Sequence, residues 1–259
     1  MKGVVVIPAR YASTRLPGKP LMKICGREMI LHVAQRAAKA SSVSRVCVAT
    51  DDRRIAQVVE KAGFEAIMTR DDHKSGTDRI AEAARKIDAE IFVNVQGDEP
   101  LIDPEHIDRA VEPLLADSNI LMGSLKTPLD SREDLFNPNC VKVVVDAGDF
   151  ALYFSRSPIP FVRGAMDLRN SSMSQNGTNF YKHIGIYIYR KEFLLRFAAR
   201  GPGKLEKAES LEQLRALEMG VRIKVPTVDR AGPCVDTPED LERVEKLMEA
   251  ELKKIDLDR

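Results

Sequence analysis

The sequence predicts an α/β fold: a mostly parallel, twisted sheet flanked by helices, with a smaller strand-rich subdomain. Three observations point there. Short β-branched apolar runs alternate with helical patterns from residue 3 to residue 95, the rhythm of βαβ units. After Asn119 the rhythm changes to closely spaced strand patterns with few helices between them. The chain of 259 residues is long enough for one large α/β domain carrying an insertion.

Taken in order, residues 3–7 (GVVVI), 45–49 (RVCVA), 64–68 (FEAIM) and 91–95 (IFVNV) are short apolar runs. Such runs suit strands covered on both faces. Residues 29–40, 53–62 and 78–88 place apolar side chains at three-to-four spacing and predict the intervening helices. Residues 120–125, 141–145, 151–155 and 184–189 read as the strands of the second region. Between them, 169–179 (RNSSMSQNGTN) is polar and Ser/Asn-rich, the composition of a mobile loop. Helices return at 206–219 and 238–254, around a short strand at 222–225. This divides the chain into an α/β domain of residues 1–128 and 191–259 and a strand-rich subdomain of residues 129–190.

Composition narrows the function. Forty basic and 39 acidic residues leave a net charge of +1, so nothing draws the whole protein to nucleic acid or to an acidic membrane. Anion recognition must then be local. Cys25, Cys47, Cys140 and Cys234 are scattered without a CxxC pair, which argues against a zinc site and a disulfide scaffold. No apolar run reaches the length of a membrane span, and the N-terminus lacks a leader pattern. A reducing cytoplasm is the expected compartment.

The stretch 4–20 (VVVIPARYASTRLPGKP) breaks from its strand at Pro8 into a loop carrying Arg10, Arg15 and Lys19. Gly18-Lys19 invites comparison with a Walker loop, but Ser13 replaces the first glycine and Pro20 the metal-binding hydroxyl. The position remains telling, because ligands of open α/β sheets bind beyond the carboxyl ends of the strands. Three cations there suit a polyphosphate, and small residues allow backbone N–H groups to approach it. A solvated basic turn would have the same composition.

Two carboxylates stand out. Asp98 closes the strand-like run 91–100 (IFVNVQGDEP) at the same sheet edge, where a plain turn residue is the competing reading. Gln96, two residues earlier, shares its strand face by period-two alternation. Asp236 precedes a helix start that Thr237, Pro238 and Asp240 already cap, leaving Asp236 without a local role. In 73–79 (HKSGTDR), Ser75-Gly76 precede a helix near Thr77 and offer backbone donors; Thr77 alone could cap that helix. His32, His73 and His106 show no ligand spacing, and no Ser–His–Asp set or Gly-x-Ser-x-Gly elbow is present.

Residues 7–21 (IPARYASTRLPGKPL) resemble the signature of the 3-deoxy-manno-octulosonate (Kdo) cytidylyltransferases, the CMP-Kdo synthetases. The resemblance continues in family order through ATDD (49–52), HKSGTDRIAE (73–82), NVQGDEP (94–100) and FNPNCVKVVVD (136–146). It runs on through ALYFSRSPIP (151–160), KHIGIYIYR (182–190), LEQLRALEMG (211–220) and VDTPEDLERV (235–244). It implies the Rossmann-like fold of nucleotide-sugar transferases and the reaction CTP + Kdo → CMP-Kdo + pyrophosphate, feeding lipopolysaccharide assembly. The sugar's anomeric hydroxyl would attack the α-phosphorus directly.

On this resemblance Arg10, Arg15 and Lys19 hold the triphosphate, while Asp98 and Asp236 hold Mg²⁺ against the phosphates. Lys74, Ser75 and Gly76 face cytosine, with Ala9 and Arg10 closing the pocket. Gln96, by its own place on the Asp98 face, is within reach of substrate hydroxyls. Arg156, His183, Tyr187, Glu212 and Gln213 take the sugar, and Arg163 is a weaker candidate. Homodimerisation through the strand-rich subdomain is implied as well. The rival readings are a cytidylyltransferase for sialic acid or an amino-substituted Kdo, and a non-catalytic nucleotide-binding protein on the same fold.

Overall fold

The computed structural model describes residues 2–12, 16–129, 131–163 and 180–257. The chain forms two compact units, Met1–Val111 with Gly232–Arg259, and Glu112–Ala231.

In the first unit the chain runs β1 (Gly3–Ala9), a small hairpin β2 (Lys23–Ile24) and β3 (Arg27–Glu28), α1 (Met29–Ala37) and β4 (Val43–Thr50). It continues with α2 (Arg53–Lys61), β5 (Glu65–Met68), α3 (Gly76–Arg85), β6 (Ile91–Asn94) and α4 (Pro104–Ala116), whose residues from Glu112 on belong to the second unit. β1 lies between β6 and β4, with β5 beyond β4, and every pairing is parallel. This is the expected α/β core. Val5, Val6 and Ile7 of β1 and Ile91, Phe92 and Val93 of β6 are fully buried, as strands covered on both faces must be.

β1 continues through Pro8, where the sequence predicts a break. β6 ends opposite Val6, so on that side Pro8 has no ladder to interrupt. The helix α4 was not anticipated. Ile107, Ala110, Val111 and Leu114 are buried at helical spacing, but Pro113 inside the helix obscures the pattern.

The second unit holds β7 (Met122–Pro128), α5 (Arg132–Phe136), β8 (Lys142–Val145), β9 (Ala151–Ser155) and β10 (Tyr181–Arg190). After these come α6 (Lys191–Ala199), α7 (Lys204–Glu209), α8 (Leu214–Glu218) and β11 (Ile223–Lys224). β10 pairs antiparallel with β7 and β8, β8 antiparallel with β9, and β11 parallel with β7.

The unit boundaries differ from the sequence division at 129 and 190. β7 is hydrogen-bonded to β10 and β11, so residues before 129 and after 190 belong to the same unit. The single helix expected at 206–219 is two helices. Ser210 takes a left-handed conformation (φ 52°, ψ 48°) at the end of α7, and Arg215 reaches back from α8 to Glu206 with bonds of 2.7 and 2.5 Å. The expected loop 169–179 lies outside the described residues.

The chain returns to the first unit with α9 (Pro238–Leu257). Val244 and Met248 on this helix pack with Leu16, Ile24, Met29 and Val235. Thr237 and Asp240 cap its start as expected: Thr237 Oγ1 accepts from the Asp240 N–H, and the Asp240 carboxylate accepts from the Asp236 and Thr237 N–H groups. Among the described residues no helix is long and apolar enough to cross a membrane.

Candidate active site

A cavity of about 270 Å³ opens at the carboxyl end of β1 in the first unit. Ala9, Arg10, Lys19, Lys74, Ser75, Gly76, Gln96, Asp98 and Asp236, residues that the sequence points to, all line it. Arg15 lies outside the described residues. The cavity has four sources: the loop after β1, the segment entering α3, the turn after β6, and the start of α9.

The loop after β1 is shaped by Gly18. Its φ of +71° suits glycine, and a Cβ there would stand 3.1 Å from the Tyr11 ring. The Gly18 N–H donates to Tyr11 O at 2.9 Å, closing the loop on itself. The Arg54 guanidinium lies 3.5 Å from the centre of the Tyr11 ring, and Asp52 holds Arg54. Lys19 follows at the start of a 3₁₀ turn, Lys19–Leu21.

Lys19 Nζ donates to Asp98 Oδ2 at 2.7 Å and to Asp236 Oδ1 at 3.1 Å. Burial lowers the affinity of Lys19 for its proton, but the two carboxylates outweigh it and hold the ammonium above its usual range. Residues 79 and 217 positions distant in sequence thus meet on one atom. Tertiary structure brings them together: the Val235 N–H donates to Asp98 O at 2.9 Å and ties the start of α9 to the turn after β6.

Asp98 and Gln96 do not sit on a strand. β6 ends at Asn94, and the chain turns at Gly97, where a Cβ would meet Pro8 O at 3.1 Å. Period-two alternation therefore does not relate the two side chains. Gln96 Nε2 donates instead to Asn94 Oδ1 at 3.1 Å. Burial and the Asp98 charge push Glu99 up to about 8, so near neutrality it adds no full third charge. Two carboxylate oxygens that converge on one ammonium can also converge on one divalent cation. Among the described residues no group of three or more metal-ligating side chains occurs; the donor chemistry of the pair fits Mg²⁺, an ion that takes one or two carboxylates with phosphate and water.

Ser75, not Thr77, caps α3. Its hydroxyl accepts from the Asp78 N–H at 3.1 Å, and the Asp78 carboxylate accepts from the Ser75 N–H at 3.3 Å, a reciprocal capping box. Sequence reasoning missed two lining residues, His73 and Arg79. His73 Nε2 lies 2.6 Å from Glu82 Oε2. Burial raises Glu82, yet bonds from His73, the Arg70 N–H and Lys86 outweigh it and bring it to about 2. Arg79 donates to Thr69 Oγ1 and Asp51 Oδ2. Its partner in ATDD was the available signal, because a buried arginine requires a carboxylate.

The sugar candidates other than Gln96 lie in the second unit. On a straight strand His183 and Tyr187 would stand about 13 Å apart. Their ring centroids are 5.5 Å apart, because the β10–β7 register shifts between Ile184 and Ile188, around Gly185. Ser124 Oγ contacts His183 Nε2 at 2.8 Å and Ile186 O at 2.8 Å. A hydroxyl carries one proton, so Ser124 donates to a carbonyl and accepts from His183 Nε2–H, leaving Nδ1 as acceptor. Burial drives His183 down to about 3; the imidazole is neutral.

Tyr187 OH donates to Gln213 Oε1 at 3.1 Å. Gln213 is 3% exposed, and among the described residues its buried Nε2 has no acceptor, which leaves a donor free for a ligand oxygen. Glu212 is half-buried and lies 3.4 Å from Arg215. Arg156 is built into the unit: Nε donates to Glu209 O, Nη1 to Pro138 O and Nη2 to Ser210 O. Among the described residues two of its five N–H donors have no acceptor. Arg163 is exposed.

Residues 4–223 match the family described as cytidylyltransferase. The 3-deoxy-manno-octulosonate cytidylyltransferase of Trichlorobacter lovleyi is 51% identical over 249 residues, covering 96% of this chain and 99% of the relative. That of Syntrophotalea carbinolica is 55% identical over 245 residues, covering 95% and 98%. A solved structure of a CMP:2-keto-3-deoxy-manno-octonic acid synthetase complexed with CTP superposes with a TM-score of 0.90 at 45% identity, covering 97% of this chain and all of the other. A 4-diphosphocytidyl-2C-methyl-D-erythritol synthase, 14% identical with a TM-score of 0.63, shares the fold. The chain belongs to the 3-deoxy-manno-octulosonate cytidylyltransferase family of nucleotidyltransferases.

Proposed function

We propose that this protein transfers CMP from CTP to the anomeric hydroxyl of Kdo, releasing pyrophosphate, in the presence of Mg²⁺. The observation that carries the reading is the meeting of Lys19, Asp98 and Asp236 in a cavity whose wall includes the capped start of α3.

Arg10 and Lys19 supply positive charge for the triphosphate, and the N–H groups at the start of α3 supply donors for the nucleotide. Asp98 and Asp236 would hold Mg²⁺, which when bound neutralises charge on the phosphates. In the second unit neutral His183 accepts a sugar hydroxyl, Gln213 Nε2 donates to a sugar oxygen, and Arg156 offers its remaining donors to the carboxylate. Attack at phosphorus needs no covalent enzyme intermediate, so positioning and charge neutralisation provide the acceleration. The product is an activated sugar for lipopolysaccharide assembly.

A homodimer is part of the same reading. Phe161 is 86% exposed and Leu152 61%, apolar surface on the second unit, and light scattering of the purified chain tests it. All four cysteines are free, which suits a reducing cytoplasm.

Pyrophosphate release from CTP, Mg²⁺ and Kdo tests the function, with sialic acid and 8-amino-Kdo as competing acceptors. Asp98→Asn should keep the fold by circular dichroism and lower turnover by on the order of 10²–10³-fold. Release with sialic acid alone would overturn the substrate assignment, and no release with any acid sugar would favour a nucleotide-binding protein.

A further inference from the structure

We propose that Lys19 is the resident counter-ion of the Asp98–Asp236 pair, and that a divalent metal enters by exchange with its ammonium, which the incoming triphosphate receives. The inference rests on the metal reading above and adds a coupling between metal and nucleotide.

The geometry sets up a competition. Asp98 Oδ2 and Asp236 Oδ1, on two residues that line the cavity, both accept from Lys19 Nζ. The Lys19 side chain is only 13% exposed, against 32% and 38% for the carboxylates. A metal drawn to those oxygens would lie against the ammonium, and Coulomb repulsion between a +2 and a +1 ion at contact is large in a partly screened site. Both cannot hold the pair.

The backbone beneath Lys19 is fixed. Its N–H donates to Leu16 O, its carbonyl accepts from Met22 N–H, and Leu21 N–H donates to Gly18 O. Exchange is therefore a movement of the side chain alone. Without an anion to receive it, moving the ammonium strips two charge-assisted hydrogen bonds. With CTP bound, the phosphates replace them. Metal should thus bind weakly to the free enzyme and more tightly to its nucleotide complex, with Lys19 setting that order.

The test titrates Mn²⁺ into the full-length enzyme, with free ion read by electron paramagnetic resonance, with and without CTP and without sugar. Wild type and Lys19→Arg, which keeps the charge, should bind Mn²⁺ weakly alone and more tightly with CTP. Lys19→Gln should bind Mn²⁺ alone roughly tenfold more tightly than wild type, a factor ordinary for coupled ligands, and lose most of the gain from CTP. Equal Mn²⁺ affinity of wild type and Lys19→Gln without CTP would overturn the inference, as would Lys19→Arg behaving like Lys19→Gln. Should Lys19→Gln not fold, wild type decides: no tightening by CTP also overturns it. Asp98→Asn separates the two levels. If it binds Mn²⁺ as wild type does in both conditions, the metal reading itself falls; if it loses Mn²⁺ while Lys19→Gln matches wild type, only the counter-ion inference falls.

Discussion

Acidification from about pH 7 to about pH 5 should weaken the fold through His183, and the size of the effect follows from its surroundings. The ring is 8% exposed, and burial lowers it from 6.5 to about 3. In the unfolded chain the imidazole gains a proton as pH falls through 6.5, while the folded ring stays neutral. The unfolded state binds more protons, so stability is complete above 6.5 and falls with pH until about 3. Each unit costs about 1.4 kcal/mol, or about 2 kcal/mol by pH 5. Urea denaturation of wild type and His183→Asn at both pH values isolates the term. The loss between the two pH values should be about 2 kcal/mol smaller in the variant, because asparagine does not titrate. His32, also lowered by burial, is common to both proteins and cancels. Equal losses would show that His183 is solvated or protonated in the fold, and the neutral-acceptor role would go with it.

Gly18→Ala should cost about 1–2 kcal/mol for its left-handed backbone and crowd the Tyr11 ring, raising KM for CTP more than KM for Kdo; steady-state kinetics with each substrate varied would expose a change confined to Kdo as a contradiction. Lys142, fully buried, donates to Asn137 O, Cys140 O and Arg156 O. Lys142→Met leaves these carbonyls without that donor and should destabilise by about 3 kcal/mol, with a rise in KM for Kdo because the backbone under Arg156 loosens; an unchanged urea midpoint would refute the brace. Ser75→Ala removes the α3 cap and should cost about 1 kcal/mol, while Ser75→Asp should recover most of it in the same denaturation assay.

The parallel strands of the first unit were legible because their burial is a local property: GVVVI and IFVN are apolar on both faces and read as such in isolation. The capping of α9 was legible for the same reason, since Thr237, Pro238 and Asp240 act within one turn. What misled were places where a local rule met a distant partner. Residues 206–219 carry continuous helical periodicity, yet the break at Ser210 lets Arg215 fold back onto Glu206. Gln96 and Asp98 look like strand neighbours, but the chain turns at Gly97 against Pro8.

The sequence by itself determined the α/β class and, through its resemblance, the family, and it named Arg10, Lys19, Asp98 and Asp236, which line one cavity. Those depend on residue type and spacing within short segments. Only the tertiary structure decided that Lys19 rests on both Asp98 and Asp236, that a bulge brings His183 to Tyr187, and that Gln213 keeps a buried donor without an acceptor among the described residues. Each of these depends on where distant segments stop and turn. Electrostatic and hydrogen-bonding energies follow distances in space, which spacing along the chain does not set.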